Sequence, residues 1–180
     1  MGNIAPAKPV VPLVAILYGN ASAYKVAREQ LLKMLGDIEF ESEVYDFCAT
    51  DYYTESMGPT IKRVFLAFSE PTPPECMVRW KHATNELESE LAAQFGGGRP
   101  INLDPGYITS AKLVLASTKD FAHRIYLADS IYAEVTLLFR RGEWISHDYT
   151  FPEYREKTYH DFFSRVRARH VERFRQGATS

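Results

Sequence analysis

The sequence is poor in cysteine, has no long apolar run and carries almost no net charge. Its two cysteines, Cys48 and Cys76, form neither a CxxC pair nor a cysteine–histidine spacing typical of a zinc site. Because the chain also shows no signal-peptide pattern, this cysteine usage favours a reducing, cytoplasmic compartment. The apolar run Val10–Tyr18 is much shorter than the about 20 residues that span a bilayer, so we expect no membrane segment.

The net charge and the absence of several known motifs argue against further functional classes. The formal net charge is −2 at pH 7, whereas binding to nucleic-acid phosphates usually requires a clearly basic balance, so we do not expect a nucleic-acid partner. The sequence contains no GxSxG, HExxH, GxGxxG or GxxxxGK(S/T) motif. Serine hydrolase, zinc protease, dinucleotide-binding and P-loop functions therefore have no motif support.

Length and composition instead predict one globular domain. With 180 residues, 46% of them hydrophobic, the chain can bury a sizeable single core. Residues 1–9 show little pattern, so we interpret them as a flexible leader and residues 10–180 as a single globular domain. The 11 tyrosines fit two interpretations, a core of half-buried rings or a pocket lined by hydroxyl groups.

The first half of the chain predicts the order strand, helix, strand, strand, helix. Ser22 is suited to cap the first helix, Gly36 to end it, and Pro74 to open the second helix. The predicted elements are a strand at Val10–Tyr18, a helix at Ser22–Leu35, a strand at Ile38–Phe47, a loop at Thr50–Gly58, a strand at Ile61–Phe68 and a helix from Pro74 to the glycines at Gly96.

The second half predicts mostly strands, followed by a basic amphipathic helix. These elements are strands at Ile101–Asp104, Lys112–Ser117, His123–Leu127, Ile131–Phe139 and Trp144–Ser146, and a helix at Asp161–Arg175. Lys112–Ser117 also fits a short helix. We therefore predict an α+β fold with a mixed or antiparallel sheet. Its element order resembles a ferredoxin-like βαββαβ core extended by a C-terminal β-meander and a terminal helix.

Two carboxylates are candidates for acid–base or metal chemistry. Asp104 directly precedes Pro105-Gly106, a dipeptide typical of a tight turn that would hold the carboxylate in a fixed direction. Alternatively, Asp104 only caps that turn. Glu134 lies in the apolar run Ile131–Phe139, where a carboxylate on a sheet face is suited to act as a general base or to bind Mg²⁺. Alternatively, that sheet face simply contacts water.

Cationic side chains are concentrated in two places. Lys119, His123 and Arg124 lie in a short turn-like stretch, where together they are suited to bind a phosphate or a carboxylate. The alternative is a solvated loop with a surface salt bridge to Asp120, worth about 0–1 kcal/mol. Lys62 and Arg63 add two more cations at the start of a predicted strand.

A series of longer motifs runs through nearly the whole chain after the leader. They are Thr50-Asp51-Tyr52-Tyr53, Met57-Gly58, Lys62-Arg63 with Phe65, residues 102–107, 115–119, 123–127 and 131–137, and the aromatic-Pro-acid-Tyr-Arg segment 149–155. These segments resemble the bacterial domain-of-unknown-function family 4416. In the family an acid directly precedes the Met-Gly pair, whereas here that position is Ser56 and Glu55 lies one place earlier. Some members are labelled GTP-binding, so the resemblance implies a nucleotide as one candidate ligand.

These observations lead to one leading hypothesis and two rivals. We expect Lys62, Arg63, Lys119, His123 and Arg124 to hold a small anionic, phosphate-bearing ligand. In that hypothesis Asp104 and Glu134 supply acid–base or divalent-metal chemistry. The first rival is a non-catalytic protein-interaction module that forms a homodimer through its tyrosines and its basic C-terminal helix. The second is single-stranded nucleic acid binding by tyrosines on a sheet.

Overall fold

The computed structural model describes residues 2–48 and 54–177. The strands are β1 (Val11–Tyr18), β2 (Ile38–Glu41), β3 (Tyr45–Asp46), β4 (Lys62–Phe68), β5 (Ile101–Ile108), β6 (Lys112–Ser117), β7 (Ile125–Ala128), β8 (Ile131–Arg140) and β9 (Glu143–Ser146). The helices are α1 (Ala21–Leu35), α2 (Thr54–Met57), α3 (Cys76–Gln94) and α4 (Lys157–Gly177), and a 3₁₀ turn at Pro152–Arg155 precedes α4.

All nine strands join one antiparallel sheet, which confirms the predicted α+β fold. Its order is β2-β4-β1-β5-β6-β8-β7, with β3 also paired to β4 and β9 to β8. The units β1-α1-β2 and β4-α3-β5 each pass over one intervening strand, which is the split arrangement of a ferredoxin-like βαββαβ core. Strands β6–β9 extend this core, and α4 ends the fold.

Helices cover both faces of the sheet because alternate residues of its strands point in opposite directions. On one face, Val14 of β1 packs in a cluster with Leu31 of α1 and Trp80 of α3. On the other face, Leu13 packs in a second cluster with Phe163 of α4. All of β1 is therefore buried, as its continuous apolar sequence predicts.

On the sheet face that α4 covers, the aromatic side chains surround the ring of Phe65. Its centroid lies 5.9 Å from that of Tyr154, 4.8 Å from Tyr159, 5.8 Å from Phe162 and 5.0 Å from Phe163. Most of these pairs meet edge to face, the arrangement that aromatic quadrupoles favour. This one strand residue thus contacts both the 3₁₀ turn and the first turns of α4.

Asn20, and not Ser22, caps the first helix. The Asn20 Oδ1 accepts hydrogen bonds from the backbone N–H groups of Ser22 (2.9 Å) and Ala23 (3.1 Å). Both residue types are good caps, so composition alone does not choose between them. The end of the helix is as predicted, since Gly36 follows it with a φ of 88° that suits glycine.

The predicted strand Ile38–Phe47 is interrupted, and β2 and β3 form in its place. At the break, the Ser42 hydroxyl donates to the Glu43 carbonyl (2.7 Å) and accepts from the Phe65 N–H (2.9 Å). The Ser42 hydroxyl thus takes the place of a backbone carbonyl as the acceptor for the Phe65 N–H. The predicted loop Thr50–Gly58 lies partly outside the described residues, and its described part contains the short helix α2.

The predicted turn at Pro105-Gly106 is wrong. Strand β5 runs without interruption through both residues, with Pro105 opposite Val14 and Gly106 opposite Leu13 of β1. Strand β6 joins β5 only from Gly106 onward, so the amide hydrogen that Pro105 lacks is not needed in that ladder. Asp104 therefore lies within a strand of the sheet.

Gly106 is required by a close approach between strands. A Cβ atom at this position would lie 2.1 Å from the Val114 carbonyl oxygen and 2.8 Å from Leu115 Cδ2. We expect Gly106→Ala to lower the free energy of unfolding by about 1–3 kcal/mol, the usual effect of overpacking. Urea unfolding measures this change, and Gly2→Ala is the control because nothing lies within 4 Å of its new Cβ. Equal unfolding midpoints for the two variants would contradict the prediction.

Candidate functional site

A cavity of about 250 Å³ opens where β5 and β6 separate. The two strands pair only over Gly106–Ile108 of β5, whereas the rest of β6 stays paired with β8. The charged residues that line the cavity are Arg63, Lys81, Arg99, Asp104, Lys119, Arg124, Glu134 and Glu153.

Side chains of α3 satisfy the backbone of β5 in this gap. The Lys81 Nζ donates to the Leu103 carbonyl oxygen at 3.0 Å, and the Leu103 N–H donates to Glu88 Oε1 at 2.6 Å. These two contacts take the place of a strand partner, which a buried backbone group requires. The separation of β5 and β6 is therefore stabilised from the α3 side.

Neighbouring strands present the polar side chains on one face. Arg63 of β4 and Asn102 of β5 lie opposite the same β1 residue, Leu17. Leu115 of β6 lies opposite Glu134 of β8 in the same way. Because residues directly opposite each other in a sheet share a face, these side chains lie on the face that the 3₁₀ turn before α4 also lines.

Arg63 is the most deeply buried cation of the cavity. Its side chain is 3% exposed, and its Nη2 donates to Glu153 Oε1 at 3.1 Å. Its Nε and Nη1 are buried and have no hydrogen-bond partner among the described residues. Burial would lower the pKa of Arg63, but Tyr154, Glu153 and Asp104 outweigh it and raise the pKa. The guanidinium is therefore charged, and its hydrogen-bonding capacity is not fully used by Glu153.

Asp104 is an ionised carboxylate held by two donors. Its Oδ1 accepts from Lys81 Nζ at 3.1 Å and its Oδ2 from Asn102 Nδ2 at 2.6 Å. Burial would raise the pKa of Asp104, but the charges of Lys81 and Arg63 and the Asn102 hydrogen bond hold it below its ordinary value. At neutral pH this side chain can accept hydrogen bonds from a ligand, and it is not a proton donor.

The lowered pKa of Asp104 makes its stabilising effect depend on pH. A carboxyl whose pKa is lower in the folded than in the unfolded chain stabilises the fold above its unfolded pKa, near about 4, and loses that effect as the pH falls further. We expect Asp104→Asn to lower the free energy of unfolding at pH 7 by about 1–3 kcal/mol. Urea unfolding between pH 7 and pH 3 should show the difference from wild type shrinking below about pH 4. A difference that stays constant with pH would contradict this assignment.

The predicted cationic turn is folded back onto Glu134. Glu134 Oε2 accepts from Arg124 Nε at 3.0 Å and lies 3.0 Å from His123 Nε2. The Arg124 Nη1 donates to Ser117 Oγ at 2.7 Å and to the Lys119 carbonyl oxygen at 3.2 Å. The side chains of Arg124 and Glu134 are both buried. Because His123 and Arg124 belong to this turn, β7 begins at Ile125 and not at His123 as predicted.

Five of the seven predicted site residues line the same cavity, namely Arg63, Asp104, Lys119, Arg124 and Glu134. His123 contacts Glu134 but is not one of the lining residues. Lys62 lies on the opposite face of β4 from Arg63 and pairs with Asp46 at 2.5 Å. The structure therefore does not place Lys62 at this site. Asp51, Tyr52 and Tyr53 of the predicted loop Thr50–Gly58 lie outside the described residues, and so does the side chain of Glu55.

Sequence reasoning missed Lys81, Glu88 and Arg99. Lys81 follows Met77 by four residues, so it falls on the buried stripe of α3, and a charge at such a position is a usable signal. The Lys81 side chain is indeed almost fully buried beside Asp104. Arg99 pairs with Glu88 at 3.2 Å and also contacts Asn102 Oδ1. Together these residues connect α3 to the cavity.

Among the side chains that the structure describes, no three from His, Cys, Asp or Glu lie close enough to bind one metal ion. None of the helices within residues 2–48 and 54–177 is both long and apolar enough to cross a membrane.

Comparison with known proteins identifies the family. The family model described as "Domain of unknown function (DUF4416)" matches residues 8–170, which is most of the chain. No curated protein and no solved structure matches the sequence. The segments that carried the resemblance in the sequence, including residues 102–107, 115–119 and 131–137, fall within the matched range. The chain belongs to the DUF4416 family.

Proposed function

We propose that the cavity between β5 and β6 binds a small anionic, phosphate-bearing compound in the cytoplasm. The observation that carries the proposal is the Arg63 guanidinium, which is buried and charged and has two nitrogens without a partner among the described residues. Leaving buried donors unpaired costs about 1–3 kcal/mol for each group. An anion bound beside this guanidinium would gain charge-assisted hydrogen bonds, and arginine is well matched to the oxygens of a phosphate.

The charges around the cavity support an anionic ligand. Five cationic side chains line it, against the three carboxylates of Asp104, Glu134 and Glu153. A phosphate monoester carries about −1.5 to −2 charges at pH 7, which is close to this excess of two positive charges. Ser117 and Thr118 also line the cavity and provide hydroxyl donors.

The carboxylates set the chemistry that such a ligand would meet. Asp104 is ionised, so it is suited to accept a hydrogen bond from a hydroxyl or amino group of the ligand. Glu134 is occupied by Arg124 and His123, so we assign it a role in holding the cationic turn in place. Binding alone and binding with catalysis both fit this arrangement.

A phosphate titration followed by thermal unfolding tests the proposal. A ligand that binds only the folded chain stabilises it, by about 2.7 kcal/mol at 100 times its Kd. We expect inorganic phosphate and sugar phosphates to stabilise the wild type but not Arg63→Met/Glu153→Gln, in which the buried pair is removed together. Lys62→Gln is the matched control, since Lys62 is the chain neighbour of Arg63 on the opposite face. It should respond like the wild type.

Two outcomes would contradict the proposal. One is an absence of stabilisation by any phosphate compound in the wild type. The other is equal stabilisation of the wild type and the double variant. The first result would favour the alternative, a non-catalytic interaction module that forms a homodimer, whereas the second would mean that phosphate binds away from Arg63. The edge strand β7 offers a surface for it, since Ile125 is 68% exposed and Tyr126 and Leu127 are exposed beside it.

A further inference from the structure

The mouth of the cavity carries exposed aromatic rings. Among the residues whose side chains the structure describes, two phenylalanines are exposed, Phe121 at 49% and Phe151 at 51%, and both line this cavity. Single exposed apolar residues are common and need no explanation. Two phenylalanines at one charged cavity are a different case, because each leaves a large apolar surface in water beside a site built for ions.

Phe121 is held in position by the charged cluster below it. The Arg124 guanidinium carbon lies 4.6 Å from the centroid of the Phe121 ring, within cation–π distance. Arg124 is itself fixed by Glu134 at 3.0 Å and Ser117 at 2.7 Å. The ring therefore rests on a rigid support and is oriented before any ligand arrives.

Phe151 is held by the segment that also fixes Arg63. It directly precedes the 3₁₀ turn at Pro152–Arg155, which contains Glu153, the partner of Arg63. The next residue of that turn, Tyr154, is buried against Phe65. The exposed ring and the buried anion-binding group are thus positioned by one short stretch of chain.

We propose that the ligand is a phosphate ester whose alcohol carries a flat ring, with the phosphate inside the cavity and the ring stacked on Phe121 or Phe151 at its mouth. This inference rests on the proposed function, because it assumes that the phosphate binds at Arg63. Nucleoside monophosphates and aryl phosphates belong to this class.

The size of the cavity supports a ligand with its phosphate inside the cavity and its ring at the mouth. Its volume of about 250 Å³ is below the about 300–1,000 Å³ of pockets that enclose a whole drug-sized ligand. A phosphate with a small attached group fits inside, and a larger alcohol must continue to the mouth. A flat ring at that point would cover the exposed phenylalanine surface by stacking.

Matched pairs of phosphate esters, with and without a ring, test the inference. The pairs are phenyl phosphate against methyl phosphate, and the four ribonucleoside 5′-monophosphates against ribose 5-phosphate, titrated by calorimetry with the wild-type protein. We expect at least one ring ester to bind about 10-fold more tightly than its partner without a ring. Phe121→Ala/Phe151→Ala should remove this advantage and leave the affinity for inorganic phosphate unchanged.

Two further variants keep the result interpretable. Phe121→Leu/Phe151→Leu retains apolar side chains without flat faces, so it should lose the advantage of the ring esters as well. Tyr126→Ala removes an exposed ring that does not line the cavity and should bind like the wild type. Equal binding of ring and ringless esters by the wild type would overturn the inference while leaving phosphate binding intact. An advantage that persists in both phenylalanine variants would overturn it too, whereas failure of every phosphate to bind would overturn the proposed function with it.

Discussion

Arg63→Met should lower the free energy of unfolding by about 3–5 kcal/mol, the usual cost of removing one partner from a buried ion pair. The substitution leaves the carboxylate of Glu153 without its cation, at a position where the Glu153 side chain is only 10% exposed. It also removes a guanidinium whose carbon lies 5.5 Å from the ring centroid of Phe47 and 5.7 Å from that of Tyr154. Urea unfolding at pH 7 measures the loss.

The double variant Arg63→Met/Glu153→Gln separates the contribution of Arg63 to stability from its contribution to phosphate binding. Replacing both partners of a buried pair by neutral residues is often close to neutral for stability, so we expect most of the lost free energy to return. Phosphate binding should stay absent in the double variant, because the donors are gone. Full stability of the single variant would show that the pair contributes little to the fold. Recovered phosphate binding in the double variant would show that Arg63 is not the anion-binding group.

Local patterns predicted the core of the fold, because those patterns depend on nearby residues. The continuous apolar run at Val10–Tyr18 predicted a strand buried on both faces, and β1 lies in the middle of the core. The predicted helix from Pro74 forms α3, and Met77, Trp80 and Leu87, which recur along it at helical spacing, are buried on one side. The predicted strands Ile131–Phe139 and Trp144–Ser146 pair as a hairpin through Arg141-Gly142, where both residues have positive φ.

The errors lie where distant residues decide the local structure. Pro105-Gly106 is a typical turn dipeptide, yet pairing with all of β1 keeps this segment extended. The interruption at Ser42 depends on Phe65, which is 23 residues away in the chain. Tertiary contacts override local preference in both cases, and a single sequence gives no direct record of them.

The candidate site was predicted only in part, because local patterns reveal its polar residues but not the tertiary contacts between them. Asp104, Lys119, Arg124 and Glu134 were predicted as site residues, and the structure places them around one cavity. Strand alternation also implies that Lys62 and Arg63 point to opposite faces, but it does not say which face carries the cavity. That choice, and the contribution of Lys81, depend on the separation of β5 from β6.

The second large effect is expected at Phe65, whose replacement by alanine should cost about 3–5 kcal/mol of unfolding free energy. Phe65 is fully buried and contacts rings of both the 3₁₀ turn and α4. Its loss leaves a cavity that the surrounding rings fill only in part, since rigid aromatic side chains relax poorly. Urea unfolding measures the cost, and Phe121→Ala is the control because its ring is half exposed.

Phe65→Ala should also weaken phosphate binding, although Phe65 does not line the cavity. The ring supports Tyr154, and the preceding residue, Glu153, holds the Arg63 guanidinium at 3.1 Å. A looser 3₁₀ turn therefore allows Arg63 to leave the geometry that binds the anion. Phe65→Leu keeps most of the packed volume and should show a smaller loss of both stability and binding. Unchanged phosphate binding in a clearly destabilised Phe65→Ala would mean that the turn does not position Arg63.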